Sequence, residues 1–126
     1  MNLDKKHTNF AKYDDRLKLM REAEYPGGVV VDPTPITEGS KVTILYYGLL
    51  AESGADEVYL HTGYGPNDRW YDVYDYRMGR TTRGFEKTFH VNDPTRLNFC
   101  FHDSIGNWDN NSGRNWSFEI HTGEQY

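Results

Sequence analysis

The chain has 126 residues, of which 37% are hydrophobic and 26% are charged, so we expect one folded domain rather than two domains or a disordered chain. The net charge of −5 without a basic cluster argues against nucleic acid as a partner, and no apolar run is long enough to cross a membrane. Cys100 is the only cysteine, which excludes an intrachain disulfide and a thiolate zinc cluster. Because the cysteine usage suits a reducing compartment and no apolar leader follows the N-terminal charges, we expect a cytoplasmic protein. We expect no cofactor.

Residues 1–27 have the pattern of an amphipathic helix. Apolar side chains recur at steps of three and four, at Phe10, Tyr13, Leu17 and Met20. Pro26 and the two glycines after it are typical of a helix end. We expect a helical extension that covers part of the core, docks a partner or joins two copies of the chain in a homodimer.

Residues 28–126 have the pattern of β-strands instead. Runs rich in Val, Ile, Thr, Tyr and Phe alternate with clusters of Gly, Pro, Asn and Asp. The predicted strands are Val29–Asp32, Val42–Tyr47, Glu57–His61, Trp70–Tyr76, Gly84–Val91, Leu97–His102 and Trp116–His121. We therefore predict an all-β fold, an immunoglobulin-like antiparallel β-sandwich that follows the N-terminal helical extension.

Alternation along these strands separates a core face from an outer face. The core candidates are Val42, Ile44, Tyr46, Leu97, Phe99, Phe101, Trp116, Phe118 and Ile120. If Val58 and Leu60 also point inward, Tyr59 and His61 point outward. In the next strand, placing Tyr71 and Val73 inward leaves Trp70, Asp72, Tyr74 and Tyr76 outward. An outer row of His, Trp and Tyr is costly in water unless a ligand or another segment covers it.

Trp108 stands in a polar segment, residues 106–116, which we predict to be a loop. An indole beside amides and a carboxylate suits a sugar, because the ring packs on the C–H face and the planar groups bond the hydroxyls. The alternative is that Trp108 covers the core while Asn and Asp side chains bond only the turn backbone.

The segment from Phe99 to Trp116 resembles the signature of starch-binding modules, above all those of carbohydrate-binding module families 25 and 53. Its Trp-Asp-Asn-Asn sequence is similar to a pattern of family 21, which includes glycogen-targeting subunits of protein phosphatases. The segment Val42–Tyr47 resembles the opening strand of such modules, and 58–65, followed by Trp70, resembles their second conserved block.

The resemblance implies a binding platform made of one His and two Trp residues. Carried over to this sequence, these residues are His61, Trp70 and Trp108, with Asn110 and Asn111 as polar neighbours. The implied ligands are α-1,4-glucans such as starch, glycogen or maltooligosaccharides, bound without catalysis. Strand alternation independently places His61 and Trp70 on an outer face.

Three other functions have weaker support in the sequence. Asp103 and Asp109 form a possible carboxylate pair, but neither lies in an apolar neighbourhood that raises a carboxyl pKa for glycoside hydrolysis. A zinc site would need His90, His102 and His121 to converge from separate strands, so we predict no metal. The rival from another class is a protein–protein interaction module that docks a glycogen- or starch-metabolising enzyme.

Overall fold

The computed structural model describes residues 22–122, whose regular secondary structure is almost entirely β-strand. One short helix, α1 (Leu49–Glu52), interrupts the strands of this described range. The strands are β1 (Ala23–Tyr25), β2 (Val29–Asp32), β3 (Ile36–Thr37), β4 (Lys41–Tyr46), β5 (Val58–Tyr64), β6 (Tyr71–Arg77), β7 (Gly79–Thr81), β8 (Gly84–His90), β9 (Arg96–Asp103), β10 (Trp108–Asp109) and β11 (Trp116–His121).

The strands form two sheets with different strand orders. The first sheet has the order β1-β2-β4-β8-β7, and the second has the order β3-β11-β9-β5-β6. All pairings are antiparallel except the parallel pairing of β11 with β3. Strands β10 and β11 lie along the same edge of β9. Strand β11 pairs with residues 96–99 of β9, and β10 pairs with Phe101 and His102.

The core lies between the inner faces of the two sheets, as expected for a sandwich. The Tyr46 ring of the first sheet stacks on the Phe101 ring of the second, with ring centroids 3.9 Å apart. Alternate residues of the central strands are fully buried around this pair; they include Val29, Val31, Ile44, Leu60, Leu97 and Phe99. The predicted all-β sandwich is therefore confirmed, and so are its principal core positions.

The strand bounds agree closely with those predicted from the sequence. Strands β2 and β11 have the predicted bounds, and the other predicted strands differ by one to three residues at an end. The four remaining described strands, β1, β3, β7 and β10, have only two or three residues, which is too short for an alternating pattern to be recognised.

The predicted helical extension is wrong for its last residues. Ala23, Glu24 and Tyr25 form β1, which pairs with β2 and so extends the first sheet by an edge strand. For these three residues, pairing with β2 outweighs the helical tendency that the pattern of the preceding residues had suggested. Phe10, Tyr13, Leu17 and Met20 lie outside the described residues. Within 22–122, no helix has the length and apolar character that crossing a membrane requires.

The prediction that Tyr71 and Val73 point inward from β6 is wrong. Tyr71 and Val73 are 42% and 50% exposed, whereas Tyr76, which was predicted to point outward, packs against the core. Asp72 has a φ of +54°, and the pairing of β5 with β6 shifts register between Thr62 and Tyr64. This irregularity reverses the alternation along β6.

Candidate functional site

Three aromatic side chains from separate segments meet on the outer face of the second sheet. His61 lies on β5, Trp70 immediately before β6, and Trp108 on β10. The His61 ring centroid is 5.6 Å from that of Trp70 and 5.1 Å from that of Trp108. The structure thus brings together the three rings named from the sequence; we call this set the ring platform.

Strand register explains why these residues converge. His61 is paired with Cys100 of β9 on one side and with Asp75 of β6 on the other. Because directly paired residues point to the same face, the Asp75 and Cys100 side chains share the face of His61. Cys100 is buried across from His61, and this burial raises the pKa of its thiol to about 12. The Cys100 side chain is therefore a neutral packing group.

Trp70 is held against the sheet at a glycine. A Cβ atom placed on Gly63 would lie 2.6 Å from Cε3 of Trp70, so the indole occupies the space that a side chain would need. The indole Nε1–H donates to the Asn67 carbonyl oxygen at 2.8 Å. Asn98 is fully buried and its Nδ2 donates to the Gly65 carbonyl at 2.9 Å. The backbone beneath Trp70 is thereby fixed by a buried side chain.

Trp108 is the most exposed member of the ring platform, at 51%. Its ring centroid is 4.4 Å from that of His102, and His102 in turn stacks on Tyr59 at 5.1 Å with nearly parallel planes. These three rings lie in neighbouring strands because Tyr59 pairs with His102 and His102 pairs with Trp108. The stack packs against Trp108 and leaves about half of its surface open to solvent.

The predicted loop contains strand β10 and a tight turn stabilised by amide side chains. Asn110 Oδ1 accepts a hydrogen bond from the Gly113 N–H at 2.9 Å, and Asn111 Nδ2 donates to the Asn115 carbonyl at 3.0 Å. Asn111, Ser112 and Asn115 all have φ values near +58°, a conformation that Asn tolerates better than most residues. The amides therefore shape the loop, which is the alternative role considered for them from the sequence.

Asn67 connects the segment of Trp70 to the loop that follows Trp108. Its Nδ2 donates to the Arg114 carbonyl at 2.9 Å, and its Oδ1 accepts from Asn115 Nδ2 at 3.2 Å. Trp70 itself donates to the carbonyl of Asn67. The spacing of the two indoles is thus fixed by side-chain hydrogen bonds, and sequence reasoning did not identify Asn67.

Two acidic residues near the ring platform are engaged in structural hydrogen bonds. Asp103 accepts hydrogen bonds from the side chain and backbone N–H of Asn107 and from the Ile105 N–H, and these bonds lower the pKa of its carboxyl. Asp109 Oδ2 accepts from the buried Tyr46 hydroxyl at 2.5 Å. Both carboxylates are therefore occupied by hydrogen bonds within the protein.

A group of potential metal ligands does form, and His102 is the only one of the three histidines considered above that belongs to it. His61, Asp75 and His102 have ligand atoms within 4.8 Å of one another. His61 Nδ1 is 2.6 Å from Asp75 Oδ1, a hydrogen-bond distance. That distance is shorter than the separation of about 3.3 Å implied by two ligands tetrahedrally bound to one zinc ion at about 2.0 Å. The contact is therefore a hydrogen bond between side chains.

A family model matches part of the chain. Residues 42–99 match the starch/carbohydrate-binding module of family 53. The predicted resemblance to modules of family 25/53 type is thereby confirmed. The family 53 match contains His61 and Trp70, while Trp108, Asn110 and Asn111 lie beyond its last residue. No curated protein and no solved structure matches the chain significantly.

Two residues of the site, Asp75 and His102, were absent from the binding platform predicted from the sequence, for different reasons. The sequence carried a signal for His102, because alternation that points Phe99 and Phe101 inward points His102 outward. It carried none for Asp75, since the reversal at Asp72 inverts the alternation along β6. Only the pairing of β5 with β6 places Asp75 beside His61.

Proposed function

We propose that the ring platform of this family 53 module binds α-1,4-glucans such as starch, glycogen or maltooligosaccharides without catalysing their hydrolysis. The observation that carries the proposal is the position of His61 between Trp70 and Trp108, on a face where half of the Trp108 surface meets solvent. Exposed indoles are costly in water and are suited to stacking against the C–H face of a sugar ring.

The inclination of the rings favours a curved glucan. The Trp70 plane is tilted 35° from that of His61, whereas the Trp108 plane is perpendicular to it. The two indole planes are therefore steeply inclined to each other. An α-1,4-linked chain curls, so successive glucose units turn to face inclined rings, whereas a flat β-1,4-linked ribbon needs coplanar rings.

Polar groups beside the rings complete the proposed site. We assign hydrogen bonds to the 2- and 3-hydroxyls of glucose to His61, Asn110 and Asn111. Among the described residues, the turn leaves Nδ2 of Asn110 and Oδ1 of Asn111 without a partner, so these atoms are the ones available to a sugar. The absence of catalysis in this proposal is supported by the structural hydrogen bonds of Asp103 and Asp109.

Affinity electrophoresis tests the ligand class directly. The protein is run through native gels that contain amylopectin, glycogen, hydroxyethylcellulose or no polysaccharide. We expect retardation by amylopectin and glycogen only. Equal mobility in all gels would contradict glucan binding, and retardation by hydroxyethylcellulose would contradict the selection of a curved chain.

A protein–protein interaction module is the second candidate, favoured by the exposed edge strand β6. Tyr71, Val73 and Tyr74 are 42% to 59% exposed on this strand, and an unpaired edge can accept a strand from another protein. In this case β6 would dock an enzyme of glycogen or starch metabolism. Retention of such an enzyme by the Trp108→Ala variant, with no retardation of wild type in any gel, would favour docking over glucan binding.

A further inference from the structure

The hydrogen bond between His61 and Asp75 determines which nitrogen of the His61 ring can face a ligand. His61 Nδ1 is 2.6 Å from Asp75 Oδ1. An ionised carboxylate only accepts hydrogen bonds, so Nδ1 carries the proton in this contact. In a neutral imidazole the second nitrogen, Nε2, is then an acceptor.

The neighbouring imidazole does not compete for Asp75. His102 Nδ1 lies 3.2 Å from the Asp103 carbonyl oxygen, which only accepts hydrogen bonds, so this nitrogen is the protonated one. His102 Nε2 is 3.4 Å from Asp75 Oδ1 and is buried without a hydrogen-bond partner among the described residues. The short bond of Asp75 Oδ1 is therefore made to His61.

Rigid strands hold this arrangement in place. Asp75 and His61 are directly paired residues of β6 and β5, so their Cβ atoms face each other at a fixed separation. The Trp70 and Trp108 rings also pack against His61, with ring centroids 5.6 Å and 5.1 Å away. The ring therefore has little freedom to turn over and present Nδ1 to a ligand.

We propose that Asp75 is a positioning residue that makes His61 a hydrogen-bond acceptor, so that the ligand must donate a hydroxyl proton to Nε2. The inference rests on the proposed function and adds which chemical group of the ligand His61 accepts. A neutral glucose hydroxyl satisfies this acceptor. A carboxylate placed against Nε2 has no proton to donate, and it is also repelled by the Asp75 charge close by. The His61 position of the site therefore accepts a hydroxyl and disfavours a carboxylate.

The tautomer is measured first, because this measurement does not depend on glucan binding. Long-range ¹H–¹⁵N spectra of the full chain, recorded in mildly alkaline buffer, distinguish the protonated imidazole nitrogen from the bare one. We expect His61 to be protonated on Nδ1 in wild type and to lose this preference in Asp75→Ala. Protonation on Nε2 in wild type, or an unchanged tautomer in Asp75→Ala, would overturn the proposal.

Affinity for a maltooligosaccharide is measured next, by isothermal titration calorimetry. We expect Asp75→Ala to weaken binding about tenfold, which corresponds to about 1.4 kcal/mol. Asp75→Asn keeps one acceptor oxygen and should fall between wild type and Asp75→Ala. Asp72→Asn is the matched control, since it removes the same charge from the same strand without touching His61, and it should bind like wild type.

The outcomes separate this inference from the function on which it rests. If wild type binds no glucan while the tautomer changes as expected, the proposed function fails and the role of Asp75 in orienting His61 stands. If wild type binds and Asp75→Ala binds equally well, the role of Asp75 in recognition is wrong. Equal losses in Asp72→Asn and Asp75→Asn would show a general charge effect and would also overturn it.

Discussion

At the scale of single residues, the contact between Gly63 and Trp70 sets the position of one indole. A methyl group on Gly63 would meet the Cβ of Trp70 at 2.8 Å as well as its ring, so the alanine variant has to displace the Trp70 side chain. The position of Trp70 thus depends on a residue with no side chain of its own.

We expect Gly63→Ala to weaken glucan binding by at least tenfold, because the displaced Trp70 ring no longer stacks beside His61. Gly79→Ala is the matched control, since an added Cβ there would meet nothing closer than 3.7 Å. Calorimetry with a maltooligosaccharide gives the affinities, and circular dichroism checks the fold. Equal affinities of the two variants would show that the close packing of Trp70 on Gly63 has no part in binding.

A second residue-scale prediction concerns Asp103 and acid. Hydrogen bonds from Asn107 lower the pKa of Asp103 in the folded protein, and the bond from the Asn107 side chain contributes more than the bond from its backbone N–H. A lowered folded pKa contributes stability above the unfolded value of about 3.9, and this contribution is lost as pH falls through the folded pKa. Asp103→Asn should therefore melt below wild type at neutral pH.

The difference in melting temperature between wild type and Asp103→Asn should narrow as the pH is lowered from about 6 to about 3. Thermal denaturation followed by circular dichroism across this range measures it. A difference that stays constant with pH would mean that the charge of Asp103 is not what stabilises the loop.

At the scale of elements, the Tyr46 hydroxyl connects three of them. It donates to Asp109 of β10 at 2.5 Å and accepts the Leu50 N–H of α1 at 2.9 Å, while Tyr46 itself belongs to β4. Burial raises the pKa of this phenol far above its ordinary value, so the hydroxyl keeps its proton. Its loss would leave a buried N–H without an acceptor.

We expect Tyr46→Phe to lower the free energy of unfolding by about 1–3 kcal/mol, because the ring still packs and only the hydrogen bonds are lost. Tyr47→Phe is the control: its hydroxyl bonds Glu24 on the exposed surface and should contribute less than about 0.5 kcal/mol. Urea unfolding compares them, and similar values for the two variants would refute a special role for Tyr46.

The sequence predicts the central strands of the sheets more accurately than it predicts an edge strand. Alternation located the core residues of β4 and β9 correctly. Each of these central strands is hydrogen-bonded along both edges, so its register is fixed and its side chains alternate regularly. It failed for β6, an edge strand, where the positive φ of Asp72 inverts the pattern without any sign in the residue types. The resemblance named the three rings, but the hydrogen bonds that align them depend on pairings between distant strands.

At the scale of the whole molecule, self-association would place two weak glucan sites in one dimer and so raise the avidity for a long glucan. The apolar stripe of Phe10, Tyr13, Leu17 and Met20 is the surface that we predict to join two copies. A second site held close to the first acts at high effective concentration on a long glucan. Avidity for glycogen would then depend on the residues that precede β1.

We expect light scattering to show a dimer for the full chain and a monomer for a chain that begins at Glu22. Beginning there keeps β1, which pairs with β2 and is needed for the first sheet. The shorter chain should bind glycogen more weakly but short maltooligosaccharides equally well. A monomeric full chain at micromolar concentration, or undiminished binding of the shorter chain to glycogen, would refute the dimer.

The central claim is that glucose units stack on Trp70 and Trp108, and calorimetric titration of ring variants with a maltooligosaccharide tests it most directly. By analogy with base stacking on aromatic rings, Trp70→Ala and Trp108→Ala should each lose about 1–3 kcal/mol of binding free energy. Tyr74→Ala, which removes a 59% exposed ring outside the platform, should bind like wild type. Wild-type affinity in Trp70→Ala and Trp108→Ala, with unchanged circular dichroism spectra, would contradict the account.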